Sequence, residues 1–337
     1  MKSAISEDRA TDERPPPLAT GSPRKALDGA SAHHTEGKPL VSVVIPTYNR
    51  VDLLPACLDS VLAQDYPSFE VAVVDDGSTD ETPELCRRYG DKIRYLRKVN
   101  GGTASALNVG VGAMRGSWFK WLSSDDMIEK GGLSALVAAG EGSDADIVYG
   151  DLTEIDHEGR FRGERRQRSF TDHNELLVEL WRHFIGSACG SIIRASAFDR
   201  VGLFDESLGY AEDYEWWLRA ALIQGVRFKH IPTPVGMYRV HPGQISQERK
   251  EAALRKQVLI RKRVVARLAE ASAKDPGLAE YYAEMTRRLR RMYGPLVPLV
   301  RLSGSIPKSA TVSYFLSRIF PKISSQIYWA GWPPLGP

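Results

Sequence analysis

Residues 40–46 read LVSVVIP, a nearly unbroken apolar run that is dominated by β-branched side chains. Such a run is typical of a strand that is buried on both faces, as in the parallel sheets of α/β proteins. A second run, FEVAVVDD, covers residues 69–76, and residues 51–64 between the two place apolar side chains at helical spacing. Strand, helix and strand in so short a span predict a parallel, doubly wound sheet.

The pattern continues along the next 150 residues. Further strands are predicted at 93–98, 117–124 and 144–156, and helices at 174–183 and 212–224. We therefore predict that residues 39–247 form one α/β domain. Residues 1–38 are rich in Pro, Ser, Gly, Ala and charge, a composition that predicts a disordered N-terminal arm. Residues 248–337 are predicted to form a basic, largely helical C-terminal extension.

Charge and cysteine content exclude several classes of protein. Residues 249–337 contain 17 of the 45 Lys and Arg residues but only 5 of the 42 Asp and Glu residues. An acidic body with a basic terminal segment is unlike a nucleic-acid reader, so no nucleic-acid partner is expected. The three cysteines show no CxxC spacing, which argues against a zinc site or a disulfide framework. With no signal-peptide pattern and no apolar run of about 18 residues, we expect a cytoplasmic protein.

Polar clusters follow three of the predicted strands. TYNR at 47–50 closes the first strand, DDGS at 75–78 the second, and SSDD at 123–126 the fourth. In open parallel sheets ligands bind at the carboxyl ends of the strands, so these clusters predict a shared binding rim. Each cluster alone is also compatible with a turn or a helix cap. The two adjacent carboxylates of SSDD need a partner, which a metal ion, the Lys120 ammonium group or water could supply.

The glycine-rich stretch NGGTASALNVGVGAMRG at residues 100–116 is not a dinucleotide fingerprint. Its GVGAMRG segment has one residue too many for GxGxxG, and it does not follow the first strand. These glycines are better explained by a turn and by close helix packing.

Six segments in order resemble family 2 glycosyltransferases of the GT-A fold over residues 40–245. They are VSVVIPTYNR, VVDDGSTDET, NGGTASALNVGVGAMRG, WLSSDD, VGLFDESL and GYAEDYEWWLRA. The resemblance implies a mostly parallel central sheet flanked by helices. It also implies an inverting, metal-dependent enzyme of the hexosyltransferase type. Such an enzyme uses a nucleotide-sugar donor, for which uridine is the commonest base in the family, and Mn²⁺ or Mg²⁺.

The resemblance assigns candidate residues by position. The donor-binding set is Pro46, Thr47, Tyr48, Asp75, Asp76, Asn100, Gly102, Asn108 and Asp125. The metal set is Asp125 and Asp126, with His241 of the YRxHP element as a further ligand and Arg239 as a cationic clamp on the diphosphate. Ser123 stands where the family's aspartate motif often begins, so this motif is a shortened one.

The segment GYAEDYEWWLRA supplies the catalytic base by the same resemblance. Asp213 matches the base, and Glu212 and Trp216 are assigned to the acceptor side, Trp216 by stacking on a sugar ring. An acidic pair at a helix N-terminus is stabilised by the helix dipole, which predicts carboxyl pKa values held low.

The sequence therefore predicts transfer of a sugar from a UDP-sugar to a hydroxyl of a saccharide or lipid-linked acceptor in cell-surface polysaccharide synthesis. A non-catalytic nucleotide-sugar binding protein and a sugar nucleotidyltransferase are the alternatives. For residues 248–337, peripheral contact with the inner membrane face and a helical cap on the catalytic domain both stay open.

Overall fold

The computed structural model describes residues 37–182, 184–222, 226–242, 244, 256–257, 259–261 and 263–264 of the 337-residue chain. The predicted N-terminal arm at 1–38 lies outside the described residues except for its last two. Most of the predicted extension at 248–337 lies outside them as well.

The first half of the domain is the predicted parallel sheet. The strands are β1 (Val41–Thr47), β2 (Phe69–Asp75), β3 (Arg94–Arg97) and β4 (Trp118–Trp121), and the helices are α1 (Leu54–Leu62), α2 (Thr82–Arg88) and α3 (Thr103–Ala113). The strands lie in the order β3-β2-β1-β4 and all of them are parallel. The register pairs Thr47 with Asp75 and Asp75 with Arg97, so the strand ends align at one rim.

The second half extends the sheet with strands of both directions. Its elements are β5 (Met127–Ile128), α4 (Gly132–Glu141), β6 (Ile147–Ile155), β7 (Phe161–Arg165), α5 (His173–Arg182), β8 (Ser191–Arg194), α6 (Ala197–Val201), α7 (Glu212–Leu222) and β9 (Phe228–Arg239). The strand order continues as β4-β8-β6-β9-β5, and β7 pairs with β6.

This sheet is mixed, whereas the sequence predicted a mostly parallel one. β8 runs antiparallel to both of its neighbours, and β7 folds back on β6 after a short turn. A short turn permits only an antiparallel return, because a parallel one needs a long crossover. Neither strand was predicted, since FRGER is charged and exposed on both faces and SIIR is only four residues long.

Two hydrophobic cores cover the two faces of the sheet. One lies under α3 and α7 and includes Phe119 and Trp216, and the other lies under α1 and α4 and includes Trp118. Trp118 and Phe119 are neighbours on β4 and enter opposite cores, as the two-residue period of a strand requires. The helices on both faces thus fix β4, which carries the SSDD turn at its end.

The described part of the C-terminal region is helical at residues 256–257, 259–261 and 263–264. Ile260 and Val264 are fully buried in the core beneath α7. Arg261 Nε donates to the Tyr214 hydroxyl at 3.0 Å, and Arg263 Nη1 to Ser207 Oγ at 2.6 Å. These residues pack on the domain as a helical cap would. Contact of the remaining extension with a membrane stays a prediction, and no helix within the described ranges is long and apolar enough to cross a bilayer.

Candidate active site

The ends of β1 and β2 form the floor of the rim. The Thr47 side chain is 3% exposed, and its Oγ1 has no hydrogen-bond partner among the described residues. Tyr48 follows on the surface, with 46% of its side chain exposed. Buried hydroxyl groups usually have a hydrogen-bond partner, so Thr47 Oγ1 is an exception at the end of β1. The assignment of Pro46, Thr47 and Tyr48 to the donor stays a prediction.

Asp75 is enclosed at the end of β2. Its Oδ1 accepts from the Ser78 amide at 2.8 Å, the Tyr95 hydroxyl donates to its Oδ2, and Arg97 Nε lies 3.6 Å from the same oxygen. The side chain is fully buried. Asp75 therefore fixes the DDGS turn with both carboxylate oxygens already engaged.

Asp76 holds the glycine-rich loop against the rim. Its Oδ1 accepts from Lys98 Nζ at 2.7 Å and from the Gly101 amide at 3.0 Å, and its Oδ2 accepts from the Gly102 amide at 2.7 Å. Gly102 has φ +88° where α3 begins, a conformation that L side chains rarely adopt. The glycines thus allow the turn, and Asn100 is exposed at its tip.

Asn108 joins α3 to the segment that precedes α7. Its Nδ2 donates to the Phe204 carbonyl at 3.0 Å and to Glu206 Oε1 at 2.8 Å, and its Oδ1 accepts from the Phe204 amide at 3.0 Å. Its amide group is therefore committed to protein contacts. This contact docks the chain leading to Asp213 onto the helix that begins at the glycine-rich loop.

The two carboxylates of the SSDD turn have different surroundings. Asp126 is 3% exposed. Its Oδ1 accepts a hydrogen bond from the Arg239 amide at 2.9 Å, and its carboxyl group also makes a hydrogen bond with the Cys189 thiol. Burial, followed by the neighbouring Asp125 charge, raises the pKa of the Asp126 carboxyl well above its usual range. The predicted role of Asp126 as a metal ligand is therefore poorly matched by an enclosed carboxyl group that already has protein partners.

Asp125 faces His241. The Asp125 Oδ2 atom lies 3.1 Å from His241 Nε2, and the side chains are 16% and 6% exposed. Two ligands at right angles on an ion about 2.1 Å from each stand about 3 Å apart, so this pair suits an octahedral cation. Carboxylate and imidazole with open positions fit Mn²⁺ or Mg²⁺ that is completed by phosphate and water. Within the described ranges, no group of three or more His, Cys, Asp or Glu side chains is placed to hold a metal ion.

Arg239 is a buried residue that links two turns rather than an exposed clamp. It is 2% exposed, and its guanidinium donates to the carbonyls of Asp125 at 2.7 Å, Asp156 at 3.1 Å and His157 at 2.7 Å. The expectation that Arg239 contacts the diphosphate is wrong, because the side chain is buried, these carbonyls engage Nε and Nη1, and Nη2 lies 3.4 Å from Met127 Sδ. It ties the SSDD turn to the turn between β6 and β7.

Lys120 does not neutralise the carboxylates either. Its ammonium group is fully buried and donates to the carbonyls of Ala188, Cys189 and Ser191. Burial lowers the pKa of Lys120 to about 8. Of the three partners considered for the adjacent aspartates, the salt bridge to Lys120 is therefore excluded.

The acidic pair Glu212 and Asp213 opens α7. Ala211 precedes the pair with φ +62°, a conformation that is uncommon outside glycine, and Asp213 Oδ1 accepts from the Tyr214 amide at 2.7 Å. Burial, with the Asp213 charge as the second cause, raises the pKa of Glu212 to about 7, and burial raises the pKa of Asp213 as well. The expectation that the helix dipole holds both values low is wrong, since desolvation outweighs the dipole.

Trp216 is a core residue, so the prediction that it stacks on an acceptor sugar is wrong. Its side chain is fully buried, its Nε1 donates to the Gly202 carbonyl at 2.8 Å, and its ring packs on Phe198 and Phe204 at 5.0 and 5.7 Å. Trp217 is also buried, at 3% exposure. Both rings therefore lie in the core, although the two residues are adjacent on α7.

We expect Trp216→Ala to lower the free energy of unfolding by about 3 to 5 kcal/mol, because it removes a fully buried ring from a close-packed core. Denaturant unfolding of the purified chain measures this loss. Tyr48→Ala, which removes an exposed ring, is the matched control and should change stability by less than about 1 kcal/mol. A Trp216→Ala chain of unchanged stability would contradict the assignment to the core.

Sequence reasoning gave no role to Cys189 or Lys98. Cys189 contacts Asp126 from 63 positions away, and Lys98 pairs with Asp76 across the rim. The one available signal was the position of Lys98, two residues before the NGG segment at 100–102, since a cation beside a glycine-rich loop suits a phosphate ligand. Nothing in the sequence indicated that Cys189 lies under the SSDD turn.

Comparison with known proteins finds similar sequences and similar folds. A family model described as "Glycosyl transferase family 2" matches residues 42–202. An uncharacterized glycosyltransferase of Rickettsia prowazekii is 37% identical over 196 residues, which cover 57% of this chain and 62% of that relative. The chain thus spans less than two thirds of this relative's length.

Two solved structures share the fold. TarS residues 1–349 of S. aureus in complex with UDP-GlcNAc gives a TM-score of 0.56 at 22% identity, covering 74% of this chain and 72% of that one. The mannosyltransferase PcManGT of Pyrobaculum calidifontis, in complex with GDP-Man and Mn²⁺, gives 0.52 at 21% identity, covering 91% and 89%. These likenesses confirm the predicted GT-A fold.

Proposed function

We propose, from the family 2 glycosyl transferase domain that this chain carries at residues 42–202, that it moves a sugar from a nucleoside diphosphate donor to a hydroxyl acceptor. The observation that carries the proposal is the acid pair at the start of α7, in which Glu212 is buried and Asp213 is half-buried. Burial raises the pKa of Glu212 to about 7 and raises that of Asp213, which suits a carboxylate that must accept a proton near neutral pH.

The donor is assigned to the rim formed by β1, β2 and the glycine-rich loop. Thr47 offers an unpartnered hydroxyl, Tyr48 an exposed ring, and Asn100 an exposed amide at the loop tip. Asp75 and Asp76 shape this rim, since their oxygens are engaged by protein donors. A UDP-sugar is the proposed donor, supported by the similarity to TarS, whose structure contains UDP-GlcNAc.

A divalent cation is assigned to Asp125 and His241, whose facing Oδ2 and Nε2 atoms are a suitable donor set. When bound, such a cation neutralises charge that develops on the departing diphosphate. The similarity to PcManGT, whose structure contains Mn²⁺, favours manganese. Asp126 is proposed to act indirectly, by fixing the turn from which Asp125 projects.

Asp213 is the proposed catalytic base. The acceptor hydroxyl oxygen forms a bond to the anomeric carbon as the bond from that carbon to the diphosphate oxygen breaks. The hydroxyl proton passes to the Asp213 carboxylate, and the nucleoside diphosphate leaves. Attack opposite to the leaving group inverts the anomeric centre. Glu212 is the acidic neighbour of the base, and the acceptor is proposed to be a saccharide or a lipid-linked glycan of the cell surface.

The experiment that tests this function uses the purified full chain with Mn²⁺ and a panel of UDP- and GDP-sugars. We expect one donor to release nucleoside diphosphate in a Mn²⁺-dependent reaction, faster in the presence of a saccharide acceptor, and Asp213→Asn to lower that rate. Tight donor binding without any release of nucleoside diphosphate would contradict an enzymatic role.

A further inference from the structure

The segment between α5 and β8 lies beside both halves of the proposed active site. At its start, the Phe184 ring packs edge-to-face on Tyr214, the residue after the proposed base, with ring centres 6.4 Å apart. Near its end, the Cys189 thiol makes a hydrogen bond with the Asp126 carboxyl group. Six residues span at most about 20 Å, so this segment connects the start of α7 to the SSDD turn over a short distance.

The middle of this segment is the part that reaches the surface. Residues 186–188 are partly exposed, whereas the residues on both sides of them are buried. Gly186 lies directly against the Trp217 ring, since a Cβ atom there would stand 2.7 Å from a ring carbon. Within the described ranges, neither the Ser187 nor the Ala188 backbone amide has a hydrogen-bond partner. Both amides are therefore available to donate to a polar ligand.

One buried cation holds this segment in place. Lys120 Nζ donates to the carbonyls of Ala188 and Ser191 at 3.3 and 3.2 Å, and it donates to the Cys189 carbonyl as well. An ammonium group has three hydrogens, so Lys120 uses all of its donors on one short stretch of backbone. Because Lys120 belongs to β4, the strand that ends at the SSDD turn fixes the position of this segment too.

We propose that residues 186–188 form the wall against which the transferred sugar lies, and that Lys120 is the positioning residue of this wall. This inference rests on the proposed function, in which the acceptor oxygen attacks the anomeric carbon opposite to the diphosphate. The sugar then lies between the cation at Asp125 and the carboxylate of Asp213. The segment between α5 and β8 touches the residue next to each of these two groups, so the sugar ring lies against its exposed part.

This placement gives residues 186–188 a role in the choice of sugar rather than in the binding of the nucleotide. The nucleoside is assigned to the rim formed by β1, β2 and the glycine-rich loop. A larger side chain at Ala188 would occupy space that the sugar needs. Loss of the Lys120 ammonium would free the carbonyls that fix the wall. Both changes therefore act on the sugar and leave a nucleoside diphosphate without a sugar unaffected.

The test is calorimetric titration of the purified full chain, with Mn²⁺ present, comparing UDP with UDP-glucose and UDP-GlcNAc, and GDP with GDP-mannose. For the donor that the wild type uses, we expect Ala188→Val to weaken binding about tenfold or more, the usual effect of added methyl groups in a fitted pocket. The affinity for the free diphosphate should stay at the wild-type value. Ala135→Val is the matched control, because it enlarges a partly buried alanine of α4 on the other face of the sheet, and it should bind all ligands normally.

Lys120→Met tests the positioning role, since it keeps the length of the side chain and removes the ammonium group. We expect it to lower the affinity for the sugar donor relative to the free diphosphate, and to raise the donor KM more than it lowers kcat. A purely structural lysine would change both affinities together. If Lys120→Met does not fold, Ala188→Val still decides whether the sugar lies against this wall.

The outcomes separate this inference from the proposed function. If Ala188→Val keeps the wild-type ratio of donor to diphosphate affinity while the wild type transfers sugar, residues 186–188 are not the wall and the proposed function stands. An equal fall in both affinities would also overturn the inference. If the wild type releases no nucleoside diphosphate from any donor, the proposed function is wrong and the inference falls with it.

Discussion

Asp213→Asn is expected to reduce sugar transfer by about 10²- to 10⁴-fold, the range over which a positioned general base contributes. Asparagine has the size of aspartate, and its Oδ1 can still accept from the Tyr214 amide, as Asp213 does at 2.7 Å. The start of α7 should therefore keep its shape. What is lost is the carboxylate that takes the acceptor's proton, so donor and Mn²⁺ affinities should stay near the wild-type values.

The measurement is the transfer rate at saturating donor, with UDP affinity determined in parallel. Rates within a factor of ten of the wild type would remove Asp213 from the role of base. Loss of UDP affinity along with activity would mean that the substitution disturbs the donor site.

The neighbouring Glu212 gives the matched variant and a pH signature. Burial and the Asp213 charge raise the pKa of Glu212 to about 7, so Glu212 loses its proton near neutrality, after Asp213 has ionised. The base acts when ionised, and transfer therefore rises with pH through the acid limb of the kcat/KM profile. The Asp213 charge acts on Glu212 and not the reverse, so Asp213 ionises while Glu212 is still neutral and the step near pH 7 belongs to Glu212. We expect Glu212→Gln to remove any step near pH 7 from the kcat/KM profile and to leave the limb of Asp213 in place. A step near pH 7 that persists in this variant would assign it to another group.

The sequence predicted the elements that long apolar runs define. β1 and β2 are buried along their entire length, and their continuous apolar sequences could have few other structures. β7 and β8 were missed because one is exposed throughout and the other is stabilised by its two neighbours rather than by its own pattern. Strand direction in the second half depends on these two strands, so the sheet was expected to be more parallel than it is.

The site was predictable as a set of residue types at strand ends, and less so in orientation. Periodicity cannot tell which of two adjacent aspartates faces inward in a turn. That is decided by the Arg239 amide, 113 positions away, which bonds Asp126 and leaves Asp125 facing His241. The inward orientation of the Trp216 ring is likewise decided by its packing on Phe198 and Phe204. The sequence around Trp216 does not show where those two rings lie.

This division between Asp125 and Asp126 predicts two distinct losses. Asp125→Ala is expected to weaken Mn²⁺-dependent UDP binding about 100-fold or more, since it removes a metal ligand. Removing a residue that only orients a metal ligand typically lowers metal affinity about 10- to 100-fold. Its thermal unfolding should resemble that of the wild type, because the Asp125 carboxylate has only His241 as its side-chain partner among the described residues.

Asp126→Ala is expected to lower stability by about 1 to 3 kcal/mol, because it leaves the buried Arg239 amide without its acceptor. The weakened Mn²⁺ binding of this variant would then be a consequence of a displaced turn. Asp126→Asn is the discriminating variant, since its Oδ1 can still accept from Arg239 and should restore both stability and Mn²⁺ affinity.

Asp125→Asn, in contrast, should stay stable and lose the ion, because a neutral amide binds a hard cation poorly. Thermal unfolding and Mn²⁺ titration of the four variants decide the assignment. Loss of Mn²⁺ in Asp126→Asn, with normal binding in Asp125→Asn, would exchange the roles of the two carboxylates.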